Sequence, residues 1–558
     1  MAYHVLWFKR DLRLHDHEAL VHAAQCAAAD GQSVLCLYAL EPSLWAQADA
    51  SALHYAFLRE CLQDLQLELQ AQGADLLLWV GEVLPALDWL QQHAGVAALH
   101  SHQETGNAHT YARDRAVARW CRAHRVPWHQ MVQFGVLRAL RQRSQWLPHW
   151  QAQMARPTFA QPAQVRWASA SDLARGGVAA ALADPSSLGP GAPCAVWQVA
   201  DLPPASALGL DPWVAPLRQR GGRQQALQDW ERFAHSGCAA YRGGISSPLS
   251  APTACSRLSA HLALGSLSLR EVVQATRSHM ADPGTSVRQR QGLAAFLSRL
   301  HWHCHFIQKL ESEPALEHGN LHRGYDGLRE PDWNPAHFEA LCQGRTGWPM
   351  VDACVAMLRQ TGWLNFRMRA MLVSVAAYPL WLHWREVGLW LARHFLDYEP
   401  GIHWSQMQMQ AGTTGINATR VYNPVKQAHD HDPHGQFVRD WLPAMRRVPD
   451  AWLFEPWRMP ASLQARCGVQ VGVDLALPLV YLQAATRSAK ARLHVRRAQA
   501  EVRAAKAAIV ERHGSRKAPF PSQGSRRPAG AAGSAPSNAS NRAHAAPSGG
   551  PQQMALDF

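Results

Sequence analysis

The chain has 558 residues, 47% of them hydrophobic and 17% charged. That composition excludes a mainly disordered protein and exceeds what one hydrophobic core usually serves. The net charge of +13 is uneven: residues 485–558 carry 13 Lys and Arg against 3 Asp and Glu, while the other 484 residues carry 42 against 39. The basic end suits contact with a polyanion and says little about the folded core. No apolar run reaches the roughly 18 residues of a membrane helix, and Met1, Ala2, Tyr3 and His4 lead straight into an apolar strand without a signal-peptide pattern. Eleven cysteines without a CxxC pair are expected to be reduced thiols in a cytoplasm. Most of the 23 tryptophans are expected in cores and interfaces.

Residues 1–135 alternate short apolar strands with amphipathic helices. Strands are predicted at 5–8, 33–40, 75–80 and 97–100, with helices at 54–72 and 110–124. Such alternation builds right-handed βαβ units and a parallel sheet. Neither GxGxxG nor GxxxxGK[ST] occurs at a strand-to-helix turn, so a standard dinucleotide or nucleoside-triphosphate cradle is not expected there. Residues 136–222, rich in Ala, Ser, Pro and Gly, read as an interdomain linker. From 223 to 484 the pattern is helical, with helices predicted at 224–234, 268–279, 294–310, 350–360, 366–381 and 387–396. A further helix is predicted over 485–512, followed by a disordered basic tail over 513–558.

Two clusters have metal-ligating residue types. In the first (His301, His303, Cys304, His305) only His301 and His305 share a helical face, and nothing completes a ligand set. The second (His429, Asp430, His431, Asp432, His434) is interrupted by Pro433 and reads as a solvated loop. No metal is therefore expected. Hydrolase signatures such as GxSxG and HExxH do not occur.

The order of several motifs carries more. Residues 5–20 read Val-Leu-Trp-Phe-Lys-Arg-Asp-Leu-Arg-Leu-His-Asp-His-Glu-Ala-Leu, and residues 255–265 read Cys-Ser-Arg-Leu-Ser-Ala-His-Leu-Ala-Leu-Gly. Gly-Arg-Thr-Gly-Trp-Pro-Met-Val-Asp-Ala at 344–353, Thr-Gly-Trp at 361–363 and Asn-Pro at 423–424 follow. Asp-Pro-His-Gly-Gln-Phe-Val-Arg-Asp-Trp-Leu-Pro at 432–443 and Glu-Pro-Trp at 455–457 complete the series. Over residues 4–460 this series resembles the DNA photolyase/cryptochrome family.

The resemblance implies an α/β Rossmann-like antenna domain joined to an all-helical domain that binds FAD. It also implies a second, antenna chromophore of folate or deazaflavin type, monomeric behaviour and damaged DNA as partner. In that family the repair enzymes split pyrimidine dimers by light-driven electron transfer from reduced FAD, the cofactor doing the hard chemistry. Positions matching the flavin site are Tyr241, the loop residues Ser256, Arg257, Leu258 and Ser259, then Trp363, Arg367, Arg369, Asp397 and His403. Cys255 stands where the family usually has Thr, and Glu399 replaces the second acid of an Asp-x-Asp pair. Trp302 matches a wall of the lesion cavity. Around it the chain departs from the repair pattern: Arg299 stands for a glutamate that bonds the dimer, Phe366 for an asparagine, Ala370 for a methionine, and Met409 for a second stacking tryptophan. His403 takes the position that faces the flavin's reactive nitrogen. Trp384 and Trp333 match the middle and outer members of the family's electron-relaying tryptophans, but the inner position reads Met407, leaving Trp404, Trp381 or Trp390 as substitutes.

Three readings follow: light-driven repair of cyclobutane dimers, a cryptochrome-like photoreceptor without repair, and a nucleic-acid-binding flavoprotein without useful photochemistry. Asn365 and Phe366, where (6-4) enzymes carry a histidine pair, weigh toward cyclobutane dimers. The C-terminal residues 553–558, Gln-Met-Ala-Leu-Asp-Phe, resemble the peptide by which bacterial repair proteins dock on the sliding clamp, with Gln553, Leu556 and Phe558 as anchors.

Overall fold

The structure, a computed structural model, describes residues 2–175, 194–416 and 420–514. The N-terminal unit is built on β1 (Tyr3–Phe8), β2 (Ser33–Leu40), β3 (Leu76–Val80), β4 (Val96–His102) and β5 (Trp128–Met131). Helices α1 (Glu18–Ala29), α2 (Ala52–Gln70), α3 (Val83–His93) and α4 (Ala108–His124) connect them. The strand order is β5-β4-β1-β2-β3-β6, with the first five parallel. β6 (Cys194–Val196) closes the edge antiparallel to β3. β1 is buried along its whole length, as a central parallel strand covered on both faces must be.

The expected strands are present, with β4 longer than its apolar run because His100, Ser101 and His102 are buried polar residues that periodicity does not flag. β5 and β6 were not predicted. β5 is half-buried and reads Trp-His-Gln-Met, while β6 has three residues inside the segment expected as a linker. That segment also contains α5 (Trp146–Ala155).

The helical unit follows. The helices that position its site are α6 (Arg223–Arg232), α7 (Leu269–Ala281), α8 (Val287–Ser312), α9 (Pro349–Thr361), α10 (Phe366–Ala377), α11 (Trp384–His394) and α12 (Pro400–Ala411). α8 starts seven residues before the predicted 294 because Ser286 and Gln289 form a capping box. α10 ends at Ala377, four residues short of the prediction, and Trp381 beyond it sits at φ +54°. The single helix predicted over 485–512 is two, α13 (Leu482–Ala498) and α14 (Ala500–His513), broken at the extended Gln499. Most of the stretch predicted as a disordered tail, and with it the 553–558 peptide, lies outside the described residues. No described helix is long and apolar enough to cross a membrane.

The two units meet where the loop after β1 docks on the short helix Ser259–Leu264. Arg10 donates to the carbonyl of Ala263, Arg13 to that of Gly265, and the Leu12 amide to that of Leu264. Gly265, at φ +71°, ends this helix, and a Cβ there would lie 2.3 Å from the Arg10 carbonyl oxygen. Only glycine allows both that backbone turn and that approach. The loop of residues 255–259 is thereby fixed relative to the sheet.

Candidate functional site

In the loop before the helix Ser259–Leu264, Arg257 adopts a left-handed conformation, φ +62°. Its guanidinium lies 4.0 Å from the centre of the Trp363 ring, a cation–π contact. Burial lowers Arg257 to about 10, and its Nε is buried without a hydrogen-bond partner. Six residues after Trp363, α10 presents Arg369, which binds both oxygens of Asp397 at 2.9 and 3.0 Å. Arg369 also donates to the Leu364 carbonyl at 2.7 Å and lies over the Phe395 ring at 4.1 Å. Burial alone would raise the Asp397 carboxyl. The Arg369 pair, a hydrogen bond from Ser259 and the charge of Arg257 outweigh burial and hold it below the ordinary value. Ser259, Arg257, Trp363, Arg369 and Asp397, five of the residues expected at the flavin site, thus converge.

This set fits a pyrophosphate-bearing cofactor. Two guanidiniums, Arg257 and Arg369, share one carboxylate, Asp397, and one of them retains an unsatisfied buried N–H. A buried polar group without a partner is costly, so the pattern calls for an anion. Nearby, Asn365 donates to the carbonyls of Ile245 and Ser246, both at 2.9 Å, while its Oδ1 and the Ser246 hydroxyl are buried without partners. Ser256 and Leu258 are buried in the loop, and Cys255, raised to about 12 by burial, is a neutral thiol there.

Other expected residues lie elsewhere. Glu399, expected beside Asp397, instead accepts a hydrogen bond from Arg10 of the loop after β1, joining the two units. His403 turns its Nε2–H to the Gly388 carbonyl at 2.9 Å, and burial lowers it to about 4, so the ring is neutral. Arg299 and Tyr241, assigned by resemblance to different sites, are partners: a hydrogen bond from Arg299 offsets part of the rise that burial imposes on the Tyr241 phenol. Arg367 lies 5.9 Å from the Tyr422 ring. Trp302, one turn after Arg299 on α8, is half-buried and stacks on Phe306 at 5.6 Å. Phe366 and Met409 are also half-buried.

Among the indoles, Trp384 and Trp404 meet edge to face at 5.9 Å, both about 1% exposed. Gly388 permits this packing, since a Cβ there would lie 2.6 Å from Trp404 Cζ3. Met407 is buried on the same helix as Trp404. Trp333 packs on Phe338 at 5.1 Å. Trp381 lies between Arg329 at 4.7 Å and Arg492 at 4.2 Å, two cations that disfavour positive charge on its ring. Trp390 packs on His394, the rings tilted and 4.4 Å apart. Trp404 has one cation, Arg385, farther off at 5.9 Å. Of the substitutes named from sequence, Trp404 is the one that adjoins Trp384.

Sequence reading missed a second cleft at the carboxyl ends of β1, β2 and β4. The strand order reverses at β1, the place where open α/β sheets bind ligands. The cleft has a volume of about 150 Å³ and is lined by Trp7, Tyr38, Trp45 and Tyr398, with Arg113, Glu41 and Glu104 at its wall. Arg113 pairs with Glu41 (2.8 Å), Glu104 (2.6 Å) and Asp114 (2.9 Å). Sequence reading also missed a buried triad in which the Asp11 carboxylate lies 3.1 Å from His17 and 2.7 Å from His102, the latter 91 residues away in the chain. His429 packs on Phe454, and the Asp432 carboxylate accepts from the Phe437 and Val438 amides, so that cluster serves the loop.

The family model for the FAD binding domain of DNA photolyase matches residues 296–495, and that for DNA photolyase matches residues 4–139. "Cryptochrome DASH" of Gloeobacter violaceus is 28% identical over 503 residues, covering 86% of this chain and 93% of that relative. "Deoxyribodipyrimidine photo-lyase" of Alkalihalophilus pseudofirmus is 25% identical over 488 residues, covering 85% and 94%. A cryptochrome structure from Synechocystis superposes with a TM-score of 0.74 at 21% identity, covering 88% of this chain and 99% of that one. The chain belongs to the DNA photolyase/cryptochrome family.

Proposed function

We propose that this family member repairs cyclobutane pyrimidine dimers in DNA under blue light, with FAD held by the loop 255–259, Trp363, Arg369 and Asp397. The observation that carries the reading is the cationic cradle itself, two buried guanidiniums on one carboxylate with Arg257 Nε unsatisfied. When bound, FAD supplies light-driven one-electron chemistry. The chain's own residues hold and orient. Arg257 and Ser259 bind the anionic end, while the Arg369–Asp397 pair keeps a fixed positive edge in a dry site. His403, neutral and tied to the Gly388 carbonyl, adds no charge. Trp302, Phe366 and Met409 offer an apolar surface on which an extruded base pair can stack. Trp404 and Trp384 are adjoining indoles suited to carrying an electron in from the surface. The cleft at the strand ends, aromatic and internally charge-balanced, suits the antenna chromophore.

A second reading, a photoreceptor without repair, is favoured by one feature. Arg299, standing for the dimer-bonding glutamate, engages Tyr241. The test is repair of a thymine-dimer oligonucleotide by the reduced protein under blue light and in darkness. Repair predicts restored thymines only in the light, and Trp302→Ala should weaken dimer binding by about 1–3 kcal/mol. A flavin-loaded protein that binds the lesion and never restores the thymines supports the photoreceptor instead.

A further inference from the structure

On α8, His301, His305 and Lys309 recur every four residues and so form one stripe. This stripe faces Arg143, which precedes α5, and α5 itself. Arg143 donates to His305 Nδ1 and lies 4.3 Å over the Trp146 ring. His301 packs against Trp146 at 4.8 Å and Trp150 at 5.0 Å, and Lys309 lies 5.1 Å from the Phe306 ring. His513, the last residue of α14 and only 3% exposed, closes the group, with Lys309 and Arg143 as its charged neighbours.

Among the described residues this is a half-buried gathering of basic groups without an acid. Among the described residues, no carboxylate forms an ion pair with Arg143 or Lys309. Burial lowers Arg143 to about 10 and Lys309 to about 8, the latter also repelled by Arg143. His301 is lowered to about 4 and His513 to about 3, again by burial and then by neighbouring cations. Two nitrogens of the group, the donor Arg143 Nη1 and the ring nitrogen His301 Nε2, are buried without a hydrogen-bond partner. Partly desolvated cations so placed are stabilised by an anion that completes them. A metal ion on the histidines is disfavoured by the two positive charges beside them.

We propose that Arg143, His301, Lys309 and His513 form a second anion site that binds a phosphate group, either free or carried on a nucleic-acid strand. Arg143 offers a planar pair of donors and Lys309 a point charge, the usual means of holding phosphate oxygens. Arg143, His301 and Lys309 are partly exposed, which leaves the site open to solvent on one side. The strand source is placed by Trp302, which is 4.8 Å from His305 on the same helix. The site does not depend on the repair reading.

The test uses full-length, flavin-loaded protein, so that the cofactor's own anion site is filled, with flavin content measured in the same sample. Inorganic phosphate is titrated against chloride at equal ionic strength while Tm is recorded. In a parallel arm an undamaged single-stranded oligodeoxynucleotide is titrated by anisotropy. Millimolar phosphate should raise Tm by several degrees, and Arg143→Gln and Lys309→Met should each weaken that response at least tenfold. In chloride alone both variants should be no less stable than the parent, because each removes a half-buried cation that has no acid partner. If phosphate has no effect but both variants bind the oligonucleotide at least tenfold more weakly, the phosphate is that of the strand. The proposal is overturned if parent and variants respond alike to both probes. It is equally overturned if the variants lose stability in chloride and keep the parent's response. Should Arg143→Gln fail to fold, Lys309→Met alone decides between these outcomes.

Discussion

In the cleft of the α/β unit, the buried Arg113 meets three carboxylates, Glu41, Glu104 and Asp114, and Lys9 pairs with Asp114 as well. In the cradle of the helical unit, Arg257 and Arg369 meet one carboxylate, and a guanidinium N–H is left over. Both pockets bury arginine, yet only the first is balanced by the protein's own acids. The difference separates a pocket finished by the chain, suited to an aromatic guest without strong charge, from one that requires an anion to finish it. Substitutions of Arg113 and of Arg257 should therefore have opposite consequences for the cofactor-free protein.

The largest effect is expected for Arg113→Met. Removing the cation strands the buried Glu41 and Glu104 and leaves Asp114 to Lys9 alone, and breaking such a network costs about 3–5 kcal/mol. Burial already raises Glu41, so its protonation should relieve part of the loss as pH falls. Denaturant unfolding at pH 7 and pH 5 should show the defect shrinking at the lower pH. An equal defect at both would break the comparison from the α/β side.

Arg369→Met comes next. It leaves Asp397 buried without its bidentate partner, at a cost of about 3 kcal/mol, and the purified variant should retain little flavin. Near-parental flavin content would mean that this pair does not adjoin the cofactor.

Arg257→Gln sharpens the contrast because its effect should fall on binding and not on folding. The cofactor-free variant should unfold at or above the parental denaturant midpoint. Loss of a charged hydrogen bond should weaken flavin retention by about 1.5–3 kcal/mol, roughly 10- to 150-fold. A variant destabilised without flavin and unchanged in flavin affinity would assign Arg257 to the fold alone.

The last effect concerns acid and is spread over several pH units. The folded carboxyl of Asp397 lies below its unfolded value of about 3.9. Its contribution is thus fully present above that value and is lost as pH falls through the lower folded value. His403 behaves differently: its folded value, near 4, is below the unfolded value of about 6.5, so the unfolded chain takes the proton first. Stability should therefore begin to fall near pH 6.5, by up to about 1.4 kcal/mol per pH unit for each such histidine. His403→Gln should flatten the slope between pH 6.5 and 4 and leave the limb below pH 4 in place.

Sequence alone determined the alternation of β1 to β4 with helices, α2 and α4 among them, the helical half and the motifs at 5–20, 255–265 and 361–363, because apolar period and motif order are local properties of a chain; α1 and α3 were not predicted. It also named Ser259, Arg257, Trp363, Arg369 and Asp397, which the tertiary structure brings together. Only the tertiary structure decided what those local properties cannot encode. β5 and β6 exist because a neighbouring strand supplies their hydrogen bonds, not because their residues favour strands. Glu399 turned from Asp397 to Arg10 because the β1 loop, 389 residues away in sequence, brings a cation to it. Trp404 adjoins Trp384 because Gly388 lets α12 approach α11. The cleft, the Asp11 triad and the basic group around Arg143 each draw residues from segments distant in the chain. Charge balance in a buried pocket is set by which side chains meet, and that is fixed by packing rather than by spacing.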